Sequence, residues 1–198
     1  TASGGNWTVG NSGYGIYVQQ AIVTVDAAGK EISTTMTSNS ATINNSVDMI
    51  LGTSSVGIFS NGANTVNNSG NITVGATDVK GDHNKVEDHL NSVGIYGAGG
   101  TKIFNAAGAT IKVHEDHSVG VYVDGSNAIN GNETRFENHG IIDVDNGGVG
   151  VIVRNGAIAV NNGVITLGGN ASLICGAVNV GMSASGPGST IENNGTIT

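Results

Sequence analysis

The 198-residue chain carries 33 glycines but a single proline, Pro187, with 38% hydrophobic and only 11% charged residues. Glycine without proline or a three-residue period excludes collagen, and the Val, Ile and Ala content excludes a disordered low-complexity chain. A net charge of −8 and a pI near 4.8 exclude the basic surface that nucleic acid or anionic lipid selects, and the lone Cys175 excludes an intramolecular disulfide.

Val, Ile and Thr favour strands while Gly and Asn favour tight turns with positive φ, so the expected class is all-β. Two motifs alternate along the chain. The first is VG, an aliphatic and usually an aromatic residue; YGIY (14–17) is a loose early copy. The second is a turn followed by a strand, and TINNSVDMIL (42–51) is its degenerate first copy. VGIF (56–59) then leads to VNNSGNITV (66–74), and VGIY (93–96) to FNAAGATIKV (104–113). VGVY (119–122) leads to FENHGIIDV (136–144), VGVI (149–152) to AVNNGVITL (159–167), and IENNGTIT (191–198) closes the series. From VG glycine to turn glycine the spacings are 13 (Gly57 to Gly70), 14 (Gly94 to Gly108), 20 (Gly120 to Gly140) and 13 (Gly150 to Gly163). The outlier holds an insertion at 124–135, and the long gap before VGIY holds another at 76–92. A constant kernel with variable excursions is how solenoids tolerate insertions.

Each run is too short to bury a core alone. Within the runs the period is two: Ile72 and Val74, Ile111 and Val113, Ile142 and Val144, Ile165 and Leu167, with Thr73, Lys112, Asp143 and Thr166 between them. Coiling the chain lets each strand pair with its counterpart about 4.8 Å away and stacks the aliphatics into a continuous core. The predicted fold is a right-handed parallel β-helix with inserted loops, the hand following the general preference of parallel crossovers. Residues 1–198 form one segment, expected to be part of a longer repeat protein. Two residues before the turn glycines Gly70, Gly108, Gly140, Gly163 and Gly195 stand Asn68, Ala106, Asn138, Asn161 and Asn193. Asn tolerates left-handed angles, and its amide can bond the amide one rung away, so these residues are expected to form a structural turn ladder.

VGIYGAGGTKIFNAAGATIKV and VGIFSNGANTVNNSGNITV resemble passenger repeats of type V autotransporters, and are most similar to those of the large fusobacterial outer-membrane autotransporter adhesins. The resemblance covers nearly the whole chain and is weakest over 18–52 and 168–188. It implies secretion, display on the bacterial cell surface through a C-terminal outer-membrane β-barrel outside these residues, and adhesion to a protein or glycan receptor on another cell.

Three groups of residues are weighed as sites. Glu87, Asp88 and His89, and Glu115, Asp116 and His117, each precede a VG strand, with His83 and His114 nearby. Carboxylates with imidazoles can ligate zinc or calcium, and clustered His can sense pH. Their spacing matches no metal motif, so a solvated acidic loop is the weightier reading and no metal or cofactor is assigned. If Val and Ile of VGIY share the inner face, Gly and the aromatic share the outer one. Tyr17, Phe59, Tyr96 and Tyr122 then form an exterior ladder continued by Ile152, able to stack on a sugar or protein partner. Self-stacking between rungs explains the same column without a ligand. Enzymatic β-helices need carboxylate pairs or a basic residue beside calcium, whereas Lys112 and Asp143 on adjacent rungs read as an ion pair. With seven Lys and Arg and no nucleophile elbow or phosphate loop, no enzyme is expected. The column Thr73, Lys112, Asp143, Thr166, Thr198 is broken by charges, which excludes ice binding. The expected role is an adhesin or its stalk. The alternatives are a structural rod that self-associates through its ends and a polysaccharide-active enzyme.

Overall fold

The computed structural model describes residues 2–52, 54–74, 92–114, 118–126, 128, 131–144, 147–168 and 178–198. The chain is a parallel β-helix of three faces. One face holds the VG motifs: β2 (Tyr14–Gln19), β6 (Val56–Asn61), β9 (Val93–Ala98), β12 (Val119–Asp124), β15 (Val149–Arg154) and β18 (Val180–Ser185). A second, here the Asn face, holds β7 (Thr65–Asn68), β10 (Lys102–Asn105), β13 (Arg135–Asn138), β16 (Ile158–Asn161) and β19 (Thr190–Asn193). The third, the aliphatic face, holds β1 (Ala2–Val9), β8 (Ile72–Val74), β11 (Thr110–Val113), β14 (Ile141–Val144), β17 (Val164–Leu167) and β20 (Thr196–Ile197). The long strand β5 (Thr42–Leu51) pairs β7 through Thr42–Asn45 and β8 through Met49–Leu51, so it turns a corner and joins the last two faces into one sheet.

Every one of these strands pairs in parallel with its counterpart one turn away, which puts like residues in rows. Ile72, Ile111, Ile142 and Ile165 are consecutive partners, as are Val74, Val113 and Val144, and all are fully buried. Each such side chain contributes roughly 1.5–3 kcal/mol on leaving water. On the Asn face Phe136 lies between Ile103 and Ala159, the small residue offsetting the large ring. Outside, Lys112 and Asp143 pair across rungs at 3.6 Å, as their spacing implied.

The VG strands correct one expectation. In β9 Val93 is half-buried, while Gly94 and Ile95 are both buried, so Val and Ile do not share a face. The alternation slips at the glycine, and the rung pairing skips it, running Val93 to Val119 and Ile95 to Val121. A Cβ on Gly94 would stand 2.5 Å from the Gly120 carbonyl oxygen, and one on Gly150 2.5 Å from that of Gly181. The motif needs glycine because successive rungs approach too closely for a side chain. Since Ile95 points in, Tyr96 still points out.

The Asn ladder is present, with two changes. Side-chain Nδ2 donates to Oδ1 of the next rung from Asn45 to Asn68 (2.8 Å), Asn68 to Asn105 (2.9 Å), Asn105 to Asn138 (2.9 Å), Asn138 to Asn161 (2.8 Å) and Asn161 to Asn193 (2.8 Å). Asn105, not Ala106, takes the third rung's place, because its turn is two residues longer than that after Asn68 and Gly108 turns there with φ 88°. Asn68, Asn105, Asn138, Asn161 and Asn193 end their strands and Asn45 lies within β5, none with positive φ, and Gly70, Gly140, Gly163 and Gly195 at the turns have no positive φ either. Those four glycines are required by close approach: a Cβ would collide with the carbonyl oxygen of Val47, Ala109, Gly140 and Gly163 respectively.

An antiparallel hairpin, β3 (Ala21–Val25) and β4 (Glu31–Met36), leaves the corner between the VG and Asn faces, a feature the repeats did not announce. Asp26 closes its turn by accepting the Ala28 and Lys30 amides at 2.9 Å each. At the hairpin's base Thr37 N donates to Gln20 O at 2.9 Å.

Candidate functional site

The aromatic column stands on the outside of the VG face because parallel pairing sets Tyr17, Phe59, Tyr96 and Tyr122 directly over one another. Tyr17 and Phe59 lie 4.7 Å apart at 7°, Phe59 and Tyr96 4.9 Å apart at 2°, and Tyr96 and Tyr122 5.4 Å apart at 18°. Tyr122 then meets Ile152, as expected, and Ile152 meets Ser183. The ring faces are therefore spent on each other: Phe59 and Tyr96 have both faces covered and offer only their rims. Tyr17 keeps one face open at the N-terminal end, where Tyr14 packs edge-on against it. Partial burial, with Asp124 and Tyr122 beside it, pushes the Tyr96 phenol above its ordinary 10.0. Partial burial also raises Asp124, but hydrogen bonds from Ser126 and Asn155 and the charge of Arg154 outweigh it and hold the carboxyl below 3.8.

On the outside of the Asn face Arg135 Nε donates to Glu137 Oε1 at 2.7 Å, which together with the nearby His139 holds Glu137 below its ordinary 4.5. Phe104 lies 4.8 Å from the His139 ring. This cluster neutralises itself and leaves little unbalanced charge for a ligand.

Of the acidic and His candidates, Glu87, Asp88, His89, His83, Glu115, Asp116 and His117 lie outside the described residues, as does the insertion at 76–92 up to residue 91. His114 follows β11 and Ser92 precedes β9. Of the second insertion, Asp124 closes β12 and Arg135 opens β13, so the excursion proper is 125–134. Among the described residues no three His, Cys, Asp or Glu side chains gather to hold a metal ion.

Two further polar arrays were not read from the sequence. Where each aliphatic strand hands over to a VG strand, buried serines interlock: Ser55 N donates to Ser92 Oγ (3.2 Å) and Ser92 N to Ser118 Oγ (3.3 Å). Where VG strands hand over to the Asn face, Thr101 Oγ1 lies 2.7 Å from the Ala98 carbonyl and 2.8 Å from that of Gly62, and Thr134 Oγ1 accepts the Gly100 amide at 3.0 Å. The serine before VG in 55–57, 92–94 and 118–120 was the available sign.

The family comparison agrees with a parallel β-helix: the model of the BigA third pectate lyase-like domain matches residues 1–177. The chain belongs to this family. As a BigA third pectate lyase-like domain it is a domain of bacterial surface proteins. No curated protein and no solved structure matches it. The resemblance to autotransporter passengers thus holds at the level of a bacterial surface β-helix, whereas a fusobacterial relationship has no matching relative behind it.

Proposed function

We propose that this chain is a rigid display segment of a bacterial surface adhesin, holding ligand-binding loops out from an inert core without catalysing a reaction. The observation that supports it most is where the excursions leave. The hairpin 21–36 and the segment 125–134 both leave the corner between the VG and Asn faces. Residues 75–91 and 169–177 both join an aliphatic strand to the next VG strand. The third corner, closed by the Asn ladder, carries nothing longer than the two extra residues of the Asn105 turn between Asn45 and Asn193. Loops gathered on two edges of a stiff scaffold are suited to recognition, since binding residues concentrate on loops that a rigid frame positions. The partner in this reading is a protein or glycan receptor on another cell, and the parent protein is anchored by an outer-membrane barrel.

Beads coated with the chain are expected to adhere to cultured epithelial cells or to partner bacteria. Replacing 76–91, which leaves the buried Ser92 in place, with a short Gly-Ser link should lower adhesion several-fold while the far-ultraviolet spectrum keeps its β signature. Undiminished adhesion by the shortened chain contradicts the reading. The same preparation incubated with polygalacturonate and calcium is expected to release no unsaturated uronate.

A further inference from the structure

We infer that two copies of this chain pair back to back, antiparallel, across the corner where the Asn and aliphatic faces meet. The long excursions leave from the other two corners, so nothing on this side keeps a second solenoid away. On its outer surface stand Phe104 at 37% exposure, Ile141 at 41% and Val164 at 38%. All three lie on strands that are paired on both sides, so their exposure is not that of a solenoid end. They are also contiguous. The Phe104 ring lies 4.8 Å from that of His139, Ile141 follows His139 by two residues, and Val164 is in register with Ile141. Apolar side chains gathered in one exposed patch mark an interaction surface.

Charge selects the occupant. Over the five turns 65–74, 102–113, 135–144, 158–167 and 190–198, Lys102, Lys112 and Arg135 balance Glu137, Asp143 and Glu192, so this surface sums to zero. The whole chain carries −8, and all of that excess therefore lies on the remaining residues. Pairing through this side brings no net like charge together, whereas the rest of the molecule repels its own kind. The charges are also ordered along the axis. Lys102 and Lys112 lie on the rung of β10 and β11, and Glu192 lies three rungs on, in β19. Lys102 has no ion pair among the described residues. A two-fold axis sets Lys102 of one copy toward Glu192 of the other, and does so twice, while parallel pairing would set like charge on like. A second copy also repeats every ~4.8 Å, so its ridges of side chains fall between those of the first along the whole surface. Five rungs by nine or ten residues give roughly 700 Å² per copy. A stable interface of ordinary size uses about 800 Å² per copy, so the pair should dissociate reversibly at micromolar concentration. The loops of both copies then point away from the junction, which adds to the loop-display reading without depending on residues 76–91.

Sedimentation of the chain over a range from about 1 to 200 μM, which brackets the affinity expected of such an area, tests the proposal. The mass should rise from 19.7 kDa toward twice that value. Ile141→Glu should weaken pairing about tenfold or more, because it puts a charge at the centre of the patch. If its far-ultraviolet spectrum shows that it fails to fold, Phe104→Ser is read instead with the same expectation. Lys102→Glu and Glu192→Lys should each weaken pairing about fivefold, since each meets a like charge at two places. The double variant Lys102→Glu/Glu192→Lys should recover it, because the two residues oppose each other only across the two-fold axis. Arg154→Glu, on the VG face, changes the net charge as much as Lys102→Glu does and should leave pairing alone. The variant lacking 76–91 should pair fully whether or not it adheres to cells, which separates the two readings. Four outcomes overturn the proposal: a single 19.7 kDa species at every concentration, which would give the patch to a different protein; pairing undiminished by Ile141→Glu; equal weakening by Arg154→Glu; or no recovery in the double variant.

Discussion

Asn138 shows what one ladder residue does. Its Oδ1 accepts from Asn105, and its Nδ2 donates to Asn161 Oδ1 at 2.8 Å and to the Gly140 carbonyl at 3.2 Å, all out of contact with water. A buried polar group left without its partner costs about 1–3 kcal/mol, so Asn138→Ala, which strands groups on both adjoining rungs, should cost about 3 kcal/mol or more. Asn67 makes an analogous amide pair with Asn44, but on the outer surface where water can replace it. Asn67→Ala is expected to cost about 0.5 kcal/mol. Urea titration of the two variants checks the contrast, and equal midpoints would remove the ladder as a determinant of stability. The column was legible in the sequence because an amide that repeats beside a turn has a reason to repeat. Its members at Asn45 and Asn105 were not, because glycine served as the anchor of the alignment. Gly108 occupies a longer turn of different geometry, and the copy at 42–51 has Val47 where later rungs have glycine. The face of the VG valine was misjudged for a related reason: strict alternation does not anticipate a glycine that absorbs one step.

The aromatic ladder belongs to the scale of elements, since it exists only when β2, β6, β9 and β12 hold register. Offset stacking of such rings contributes about 0.5–1.5 kcal/mol per pair beyond area burial. The column and its outward direction were readable from VGIF, VGIY and VGVY; that the ring faces would be consumed by each other depends on inter-rung distance, which spacing alone does not give. The hairpin at 21–36 was not readable, because its strands lie outside the repeating kernel. The ladder also sets a pH dependence. Tyr96 has its phenol pushed above 10.0, first by burial and then by Asp124 and Tyr122, so the folded chain keeps that proton where the unfolded chain gives it up. Stability from this group is complete below pH 10.0 and is lost as pH rises through the folded value. Tyr96→Phe has no proton to lose. Its urea midpoint should fall less than that of the wild type as pH is raised past 10, and parallel curves for the two proteins would contradict this.

At the scale of the whole molecule, each rung touches only its neighbours, so stability is a sum of rung and interface contributions and the ends have one interface fewer. The two ends differ in construction. At the N-terminal end β5 runs unbroken round a corner and binds β1, β7 and β8, so two faces of the first rungs are tied through one strand. At the C-terminal end β18, β19 and β20 are separate, Met182 and Ile191 are only half-buried, and Ile197 is 41% exposed. In the middle, Ile95, Ile111, Val121, Phe136 and Ile142 are fully buried with a rung on either side. Amide exchange should therefore be slowest in β9–β14, faster in β5, and fastest in β18–β20, because local opening follows the number of buried contacts that must be broken. Mass-spectrometric hydrogen exchange resolves these segments. Uniform rates from β5 to β20 would mean that the coil opens as one cooperative unit. The same gradient bears on display: excursions that leave between β8 and β9 and between β12 and β13 are rooted in the slowest-opening rungs, where a loop's position is best held.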